Sequence, residues 1–187
     1  PSGADPRNTS TIPDLIRIGA LALADPITAG VVAQTTADLP DVGELTSTNA
    51  LLGVDGIDGI KTGTLDEAGA CLLFSADAVV GSRTVTLVGA VLGGPDHDAV
   101  DASVRALLAS AVAGFQELTV PAGTAFGDYR TTWGDRAAAV TAADAALLVW
   151  GAETVTADVA LDPVTTAASG AEVGRVVLAT AHDTATV

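Results

Sequence analysis

Methionine is absent from this sequence, and cysteine and lysine each occur only once. The single Cys71 excludes an internal disulfide and a metal site built from several cysteines. His97 and His182 lie far apart in the sequence, so a histidine-rich zinc site is not expected either. We therefore expect no metal and no other cofactor.

Aromatic residues are also scarce, at 3% of the 187 residues, whereas apolar residues reach 49%. The interior must therefore be filled by alanine, valine, leucine and isoleucine, and a chain of this length can bury a substantial core. No run of about 18 consecutive apolar residues occurs, so no part of the sequence is expected to cross a bilayer.

Basic residues are also few. The 23 acidic and 8 basic residues give a formal net charge of −15. Such a surface repels nucleic-acid phosphates and anionic lipid headgroups. We therefore expect no nucleic-acid partner and no attachment to a membrane through a basic patch.

The first part of the chain predicts two helices. Residues 9–14 combine a hydroxyl cap, an early proline and an acid in the first turn, which is typical of a helix start. An apolar stripe follows as far as Leu23. Asp25-Pro26 ends this helix and begins a second, short one that runs to about Val32.

A β-hairpin and a third helix are predicted next. Residues 70–76 and 83–92 favour strands joined by a turn at residues 80–82. Because residues 84–92 are almost wholly apolar, we expect this hairpin to be central in a sheet. A helix follows to about Ala113, with apolar residues at helical spacing; these are Val100, Val104, Leu107, Leu108, Ala111 and Val112.

After Phe115 the pattern changes, because short valine- and threonine-rich runs alternate with turns and no helical period persists. The sequence therefore predicts an α+β domain over residues 1–114 and a small all-β domain over residues 115–187.

The only lysine of the chain lies in Lys61-Thr62-Gly63, after a turn-forming stretch at residues 55–59. A strand ending in these residues presents an ammonium group and a hydroxyl, and the glycine leaves room for a ligand backbone. K-T-G is also the third motif of a serine acyl-transfer site, after S-x-x-K and S-D-N. The alternative is an ordinary lysine at a strand end.

These features resemble the C-terminal part of the low-molecular-mass penicillin-binding proteins, the serine D-alanyl-D-alanine carboxypeptidases. The similarity extends over most of the chain, and its motifs occur in the family's order. The matching segments are Ser2-Gly3 with residues 8–11 and Asp14-Leu15, residues 49–52 and 55–57, residues 60–63, residues 68–72, residues 88–93, and residues 120–134.

The resemblance implies part of a penicillin-recognising antiparallel sheet with flanking helices, followed by the β-rich domain. It also implies a serine hydrolase that cleaves the last D-alanine from a peptidoglycan stem peptide and is inhibited by β-lactams. By this resemblance Lys61 and Thr62 would hold the substrate carboxylate. Gly63 would let the substrate lie along the strand, and Thr64 would lie near the oxyanion hole.

The chain departs from the family pattern at three places. S-x-x-K is missing, so no catalytic residue is assigned here. Ser47-Thr48-Asn49 has the letters of the S-x-N motif but lies just before K-T-G. The family's arginine early in the last helix is also missing, and the nearest cations are His97 and Arg105. We therefore expect a piece of a longer protein, inactive alone and partnered by its own N-terminal part.

The same resemblance implies an extracytoplasmic bacterial protein, with any membrane anchor outside this chain. Two other interpretations remain open at this stage. One is a non-catalytic cell-wall-associated scaffold or binding protein derived from the same fold. The other is a relative of the β-lactamases, which share K-T-G but would lack the β-domain after Phe115.

Several other residues have simpler interpretations. Cys71 is expected to be a small buried residue and not a nucleophile. His97 is expected to be a solvated residue at a helix start, and contact with a substrate is the less favoured alternative. Trp133 and Trp150 are expected to anchor the core of the β-domain. Of the acids around Lys61, we expect Asp55 and Asp58 to form turns, and Asp66 and Glu67 to be surface charges.

Overall fold

The computed structural model describes residue 5 and residues 7–187. The Ser2-Gly3 segment of the resemblance therefore lies outside the described residues. The chain divides into two compact units between Val112 and Ala113, close to the boundary predicted between residues 114 and 115. Its helices and antiparallel sheets confirm the predicted α+β class.

Two helices open the first unit, as predicted. Helix α1 (Ile12–Ala24) is capped by Thr11, whose hydroxyl accepts a hydrogen bond from the Asp14 N–H. Asp25 ends it and caps α2 (Pro26–Val32), because one carboxylate oxygen accepts the N–H groups of Ile27 and Thr28. The N–H groups of Thr28 and Ile27 also hold the pKa of the Asp25 carboxyl below its ordinary value.

None of the described helices alone has the length and apolar composition needed to cross a bilayer. Helices α1 and α2, bent by 107°, meet those criteria only when they are taken together.

The sheet of the first unit has three antiparallel strands. A separate hairpin of β1 (Thr36–Leu39) and β2 (Gly43–Thr46) precedes it. The sheet order is β3-β4-β5, and its strands are β3 (Ile57–Leu65), β4 (Gly69–Val80) and β5 (Arg83–Gly94). The predicted hairpin is therefore confirmed as β4 and β5, joined at Gly81-Ser82.

Within the described sheet β4 is the middle strand and β5 lies beside it, so the central place expected for the hairpin holds for β4 and not for β5. Helices cover both faces of β5, which explains its apolar sequence. Gly19 of α1 packs near Val88 on one face. Leu87 and Val91 pack against the core cluster on the other. An apolar strand sequence therefore indicates that both faces of the strand are buried, but it does not indicate whether the strand is central or outer in the sheet.

Helix α3 (His97–Ala113) packs against one face of the sheet through Val100, Val104 and Leu108, all buried. Leu107, which was expected on the same stripe, is 47% exposed. It directly precedes Leu108 and therefore points to a different side of the helix from the row formed by Val100, Val104 and Leu108. The buried residues of this core are Leu51, Ile57, Ala70, Leu72, Phe74, Ala76, Val100, Val104 and Leu108.

The second unit is all β after the end of α3. Residues 114–187, all of which the structure describes, contain no helix. The strands pair antiparallel as β6 with β9, β7 with β8, and β10-β11-β12. They are β6 (Phe115–Val120), β7 (Ala125–Arg130), β8 (Arg136–Val140), β9 (Ala145–Trp150), β10 (Thr156–Leu161), β11 (Gly174–Ala179) and β12 (Thr184–Thr186).

The two tryptophans do not anchor this unit, so that expectation is wrong. Trp133 is 74% exposed in the turn between β7 and β8, where its Nε1 donates to Asp135. Trp150 is 50% exposed, and its indole lies over Gly114, where a Cβ would come within 2.5 Å of Nε1. Small aliphatic residues form the core instead: Ala145, Leu147, Val176 and Leu178.

Candidate functional site

Strand β3, which contains Lys61-Thr62-Gly63, is an outer strand of the sheet. One of its edges pairs with β4, so that Lys61 lies opposite Leu73 and Thr64 opposite Ala70. No strand pairs with its other edge among the described residues. An outer strand of this kind offers backbone N–H and C=O groups to an added strand.

A tight turn before β3 sets the start of the strand. Asp55 and Gly56 both have positive φ, 53° and 81°. A Cβ at Gly56 would lie 2.2 Å from the Asp77 carbonyl oxygen, so glycine is required there. The Asp77 N–H donates back to the Gly56 carbonyl at 3.0 Å, which ties the turn to β4. Asp55 thus forms the turn as expected.

Asn49 holds the loop that precedes this turn. Its side chain is buried and makes two backbone hydrogen bonds. Nδ2 donates to the Gly59 carbonyl at 3.3 Å, and Oδ1 accepts the Leu51 N–H at 3.1 Å. The side chain therefore fixes residues 49–51 against the beginning of β3.

Lys61 is exposed on β3, and its Nζ donates to the backbone carbonyl of Thr62. Gly63 is equally open, since a Cβ built there meets no atom within 4 Å. Neither Lys61 nor any of the three residues after it lines the cavity of about 560 Å³ in the second unit or the cavity of about 550 Å³ in the first unit. The K-T-G residues thus lie on an open strand surface.

The hydroxyls of Thr62 and Thr64 contact side chains from two other elements. Thr48, in the loop after β2, has its hydroxyl oxygen 2.5 Å from that of Thr62. His97, the first residue of α3, has its Nε2 2.6 Å from the Thr64 hydroxyl. Because Thr62 and Thr64 are two residues apart, both hydroxyls lie on the same face of β3.

Sequence analysis missed both of these contacts. His97 is partly buried and hydrogen-bonded, so its interpretation as a solvated residue is wrong. The Thr64–His97 contact follows from the strand register, which the sequence does not give: Thr64 pairs with Ala70, and Ala70 pairs with Gly94, three residues before His97. The position of Thr48 likewise depends on the path of its loop, for which the sequence contains no signal.

The acids near β3 have distinct environments. Asp55 forms an ion pair with Arg105 of α3, with Nε and Oδ2 2.7 Å apart. Asp58, expected in a turn, instead lies on β3 and accepts the Ser75 hydroxyl at 2.5 Å. Asp66 and Glu67 are exposed in the turn after β3, as surface charges should be.

Asp101 lies in the first turns of α3, and burial raises the pKa of its carboxyl. The charge of His97 lowers that pKa, and the charge of Asp98 raises it. Cys71 is only partly buried, with its Sγ 3.6 Å from the Ala68 carbonyl oxygen. The described residues contain no group of three or more metal-ligating side chains placed to hold an ion.

Comparison of the fold with solved structures gives a strong match. Penicillin binding protein 5 from Haemophilus influenzae aligns with 98% of this chain at a TM-score of 0.58 and 25% identity. This chain has the fold of a low-molecular-mass penicillin-binding protein's C-terminal part. The resemblance inferred from the sequence motifs is thereby confirmed. The chain spans 56% of the length of the Haemophilus protein.

Two further penicillin-binding proteins align with the chain. The peptidoglycan synthesis regulatory factor PBP3 from Streptococcus pneumoniae matches 86% of it, and 46% of its own length, at a TM-score of 0.52 and 22% identity. The D-alanyl-D-alanine carboxypeptidase DacD from Francisella tularensis matches 72% of the chain, and 34% of its own length, at a TM-score of 0.39 and 22% identity. No protein-family model matches this chain, and no curated protein matches it significantly.

Proposed function

We propose that this chain is part of a serine-type D-alanyl-D-alanine carboxypeptidase acting on peptidoglycan stem peptides. It contributes the K-T-G side of the substrate cleft but not the nucleophile. The observation that supports this most is the position of Lys61-Thr62-Gly63 on an outer strand with an open edge. That strand belongs to a fold shared with penicillin binding protein 5 over nearly the whole chain.

The side chains of residues 61 and 62 and the open position at Gly63 suit a peptide ligand that ends in a carboxylate. The ammonium of Lys61 attracts the carboxylate, and the Thr62 hydroxyl can donate a hydrogen bond to it. Gly63 leaves space for the peptide backbone, since nothing lies within 4 Å of its Cβ position. Thr64 follows at the point where the acyl group would be attacked, so its backbone N–H is the proposed oxyanion donor.

The intact enzyme needs an upstream segment with the S-x-x-K serine, and the first unit has a surface suited to contact it. Apolar residues on α1 and α2 are more than half exposed, as expected for helices that pack against a further part of the protein; they are Ile18, Leu21, Ile27 and Val31. We assign the N-terminal part of the same protein as that partner. β-Lactams would be inhibitors only of the assembled site.

The proposed location is the bacterial cell envelope, outside the cytoplasm, because the stem peptide is found there. Any membrane anchor would lie outside this chain. The second candidate is a non-catalytic scaffold or binding protein of the cell wall. This candidate needs no S-x-x-K motif, which does not occur in the 187 residues.

A direct test is an NMR titration of the ¹⁵N-labelled 187-residue chain with a tripeptide ending in D-alanyl-D-alanine. We expect amide shifts confined to residues 61–64 and their neighbours, with binding lost in Lys61→Ala. Arg17→Ala is the matched control, since Arg17 is another exposed cation of the first unit. Shifts elsewhere, or equal binding of the peptide ending in L-alanyl-L-alanine, would contradict the proposal.

A second test addresses the missing nucleophile. The chain alone should form no covalent adduct with a fluorescent penicillin, because it lacks the serine and lysine that open the β-lactam ring. A labelled band after denaturing electrophoresis would show that a nucleophile exists within these residues, and would overturn this part of the proposal.

A further inference from the structure

His97 joins the start of α3 to the strand end that follows K-T-G. Its Nε2 lies 2.6 Å from the Thr64 hydroxyl oxygen, well within hydrogen-bonding distance. Thr64 is an exposed residue, so the contact lies at the surface of β3. The contact therefore couples a titratable ring to a group that a bound ligand can reach.

The protonation state of His97 decides which partner donates in this hydrogen bond. If Nε2 of a neutral ring lacks a proton, the Thr64 hydroxyl must donate its hydrogen to that nitrogen. Once the ring is protonated, Nε2–H donates to Thr64, and the hydroxyl hydrogen becomes available to another acceptor. A carboxylate lying along β3 is such an acceptor, and the imidazolium charge also attracts it.

Charged residues occur on each of the elements that meet at His97. Asp98 and Asp101 belong to its own helix, and the charge of His97 lowers the pKa of Asp101. Asp96 directly precedes the helix and accepts the Ala99 N–H. Lys61 lies three residues before Thr64 on β3. Asp66 and Glu67 occupy the turn that follows β3.

We propose that His97 is a positioning residue of the candidate site. Its imidazole orients the Thr64 hydroxyl, and its protonation makes the affinity of β3 for a carboxylate ligand increase as pH falls. This inference rests on the proposed function, because it assigns the ligand carboxylate to the same strand.

The test measures the dissociation constant of the D-alanyl-D-alanine tripeptide for the 187-residue chain by NMR at pH 5.5 and pH 8.0. The peptide carboxylate remains ionised over this range. We expect wild type to bind about three- to tenfold more tightly at pH 5.5, in keeping with the added strength of a charge-assisted contact. In His97→Gln the ratio of the two dissociation constants should fall to one. The variant should bind at both pH values with the affinity that wild type has at pH 8.0.

Three variants make the result specific. Thr64→Val should also lose the pH dependence although His97 is retained, because the hydroxyl that joins the ring to the ligand is gone. His182→Gln, which removes the other histidine of the chain, should keep the wild-type ratio. Lys61→Ala should lose binding at both pH values, which tests the proposed function separately.

Each outcome decides one of the two hypotheses. If wild type binds through Lys61 but its affinity does not change with pH, the role of His97 is overturned and the proposed function stands. The same conclusion follows if His97→Gln or Thr64→Val keeps the wild-type ratio. If wild type does not bind, or binds independently of Lys61, the proposed function fails, and the role of His97 in that site fails with it.

Discussion

The hydroxyl oxygens of Thr48 and Thr62 lie 2.5 Å apart, and this contact joins the loop after β2 to the K-T-G strand. Only one hydrogen can lie between two hydroxyl oxygens. If Thr48 donates, the hydrogen of Thr62 is free to point towards a ligand. The loop residue thereby orients the hydroxyl that we propose as a carboxylate donor.

Replacing Thr48 by valine should weaken binding of the D-alanyl-D-alanine tripeptide about three- to tenfold. The substitution keeps the side-chain shape and removes one hydrogen bond, whose net contribution is about 0.5–1.5 kcal/mol. Dissociation constants from the NMR titration give the measurement. Thr46→Val, a change of the same kind at an exposed residue of β2, should have no effect. Tighter binding of Thr48→Val would show that Thr48 competes with the ligand.

Asn49→Ala should destabilise the first unit by about 1–3 kcal/mol, because the buried Gly59 carbonyl and Leu51 N–H would lose their partners. Urea denaturation gives the free energy of unfolding, and the midpoint should fall without a change in slope. The exposed Asn8 provides a matched control, since Asn8→Ala should change stability by less than about 0.5 kcal/mol.

The Arg105–Asp55 ion pair should contribute little despite its 2.7 Å contact, because both side chains are about half exposed, at 56% and 47%. A double-mutant cycle with Arg105→Gln and Asp55→Asn should give a coupling energy below about 1 kcal/mol. Asparagine is chosen since it tolerates the positive φ of residue 55. Adding 1 M salt should remove most of the coupling; coupling that persists would indicate a more shielded pair.

Local signals in the sequence were sufficient for the elements that position the site. Thr11 and Asp14 predicted the start of α1, and Gly81-Ser82 predicted the β4–β5 turn, because caps and tight turns depend on a few adjacent residues. The K-T-G stretch was placed on a strand for the same reason. The outer position of that strand emerged only from the sheet order.

Contacts between distant segments could not be predicted in the same way. The Thr48–Thr62 contact requires the loop path that Asn49 fixes, and the Thr64–His97 contact requires the register of three strands. The tryptophans were predicted to be buried, and that prediction is wrong. Size alone suggested burial of Trp133, but its place in a turn leaves the ring in solvent.

Asp101→Asn should stabilise the chain at neutral pH and have no effect in acid. Burial raises the pKa of Asp101 above its ordinary value of 3.8 in the folded state. The folded chain therefore holds this proton to higher pH than the unfolded chain, and stability falls as pH rises through that interval. Urea denaturation at pH 3 and pH 7 measures the difference.

Asp38→Asn on β1 removes the same charge from an exposed position and serves as the control for Asp101→Asn. It should give a smaller gain at pH 7, due only to the reduced net negative charge. An equal gain in both variants would show that overall charge, and not burial of Asp101, accounts for the effect.

Gly63→Val separates ligand binding from folding at the candidate site. A Cβ at Gly63 meets no atom within 4 Å, and valine suits a strand, so stability should change by less than about 0.5 kcal/mol. The side chain would nevertheless fill the space proposed for the peptide backbone, and binding should fall more than about tenfold, or more than 1.4 kcal/mol. Gly30→Ala in α2, also at an open position, should leave binding unchanged. Full binding by folded Gly63→Val would place the peptide elsewhere.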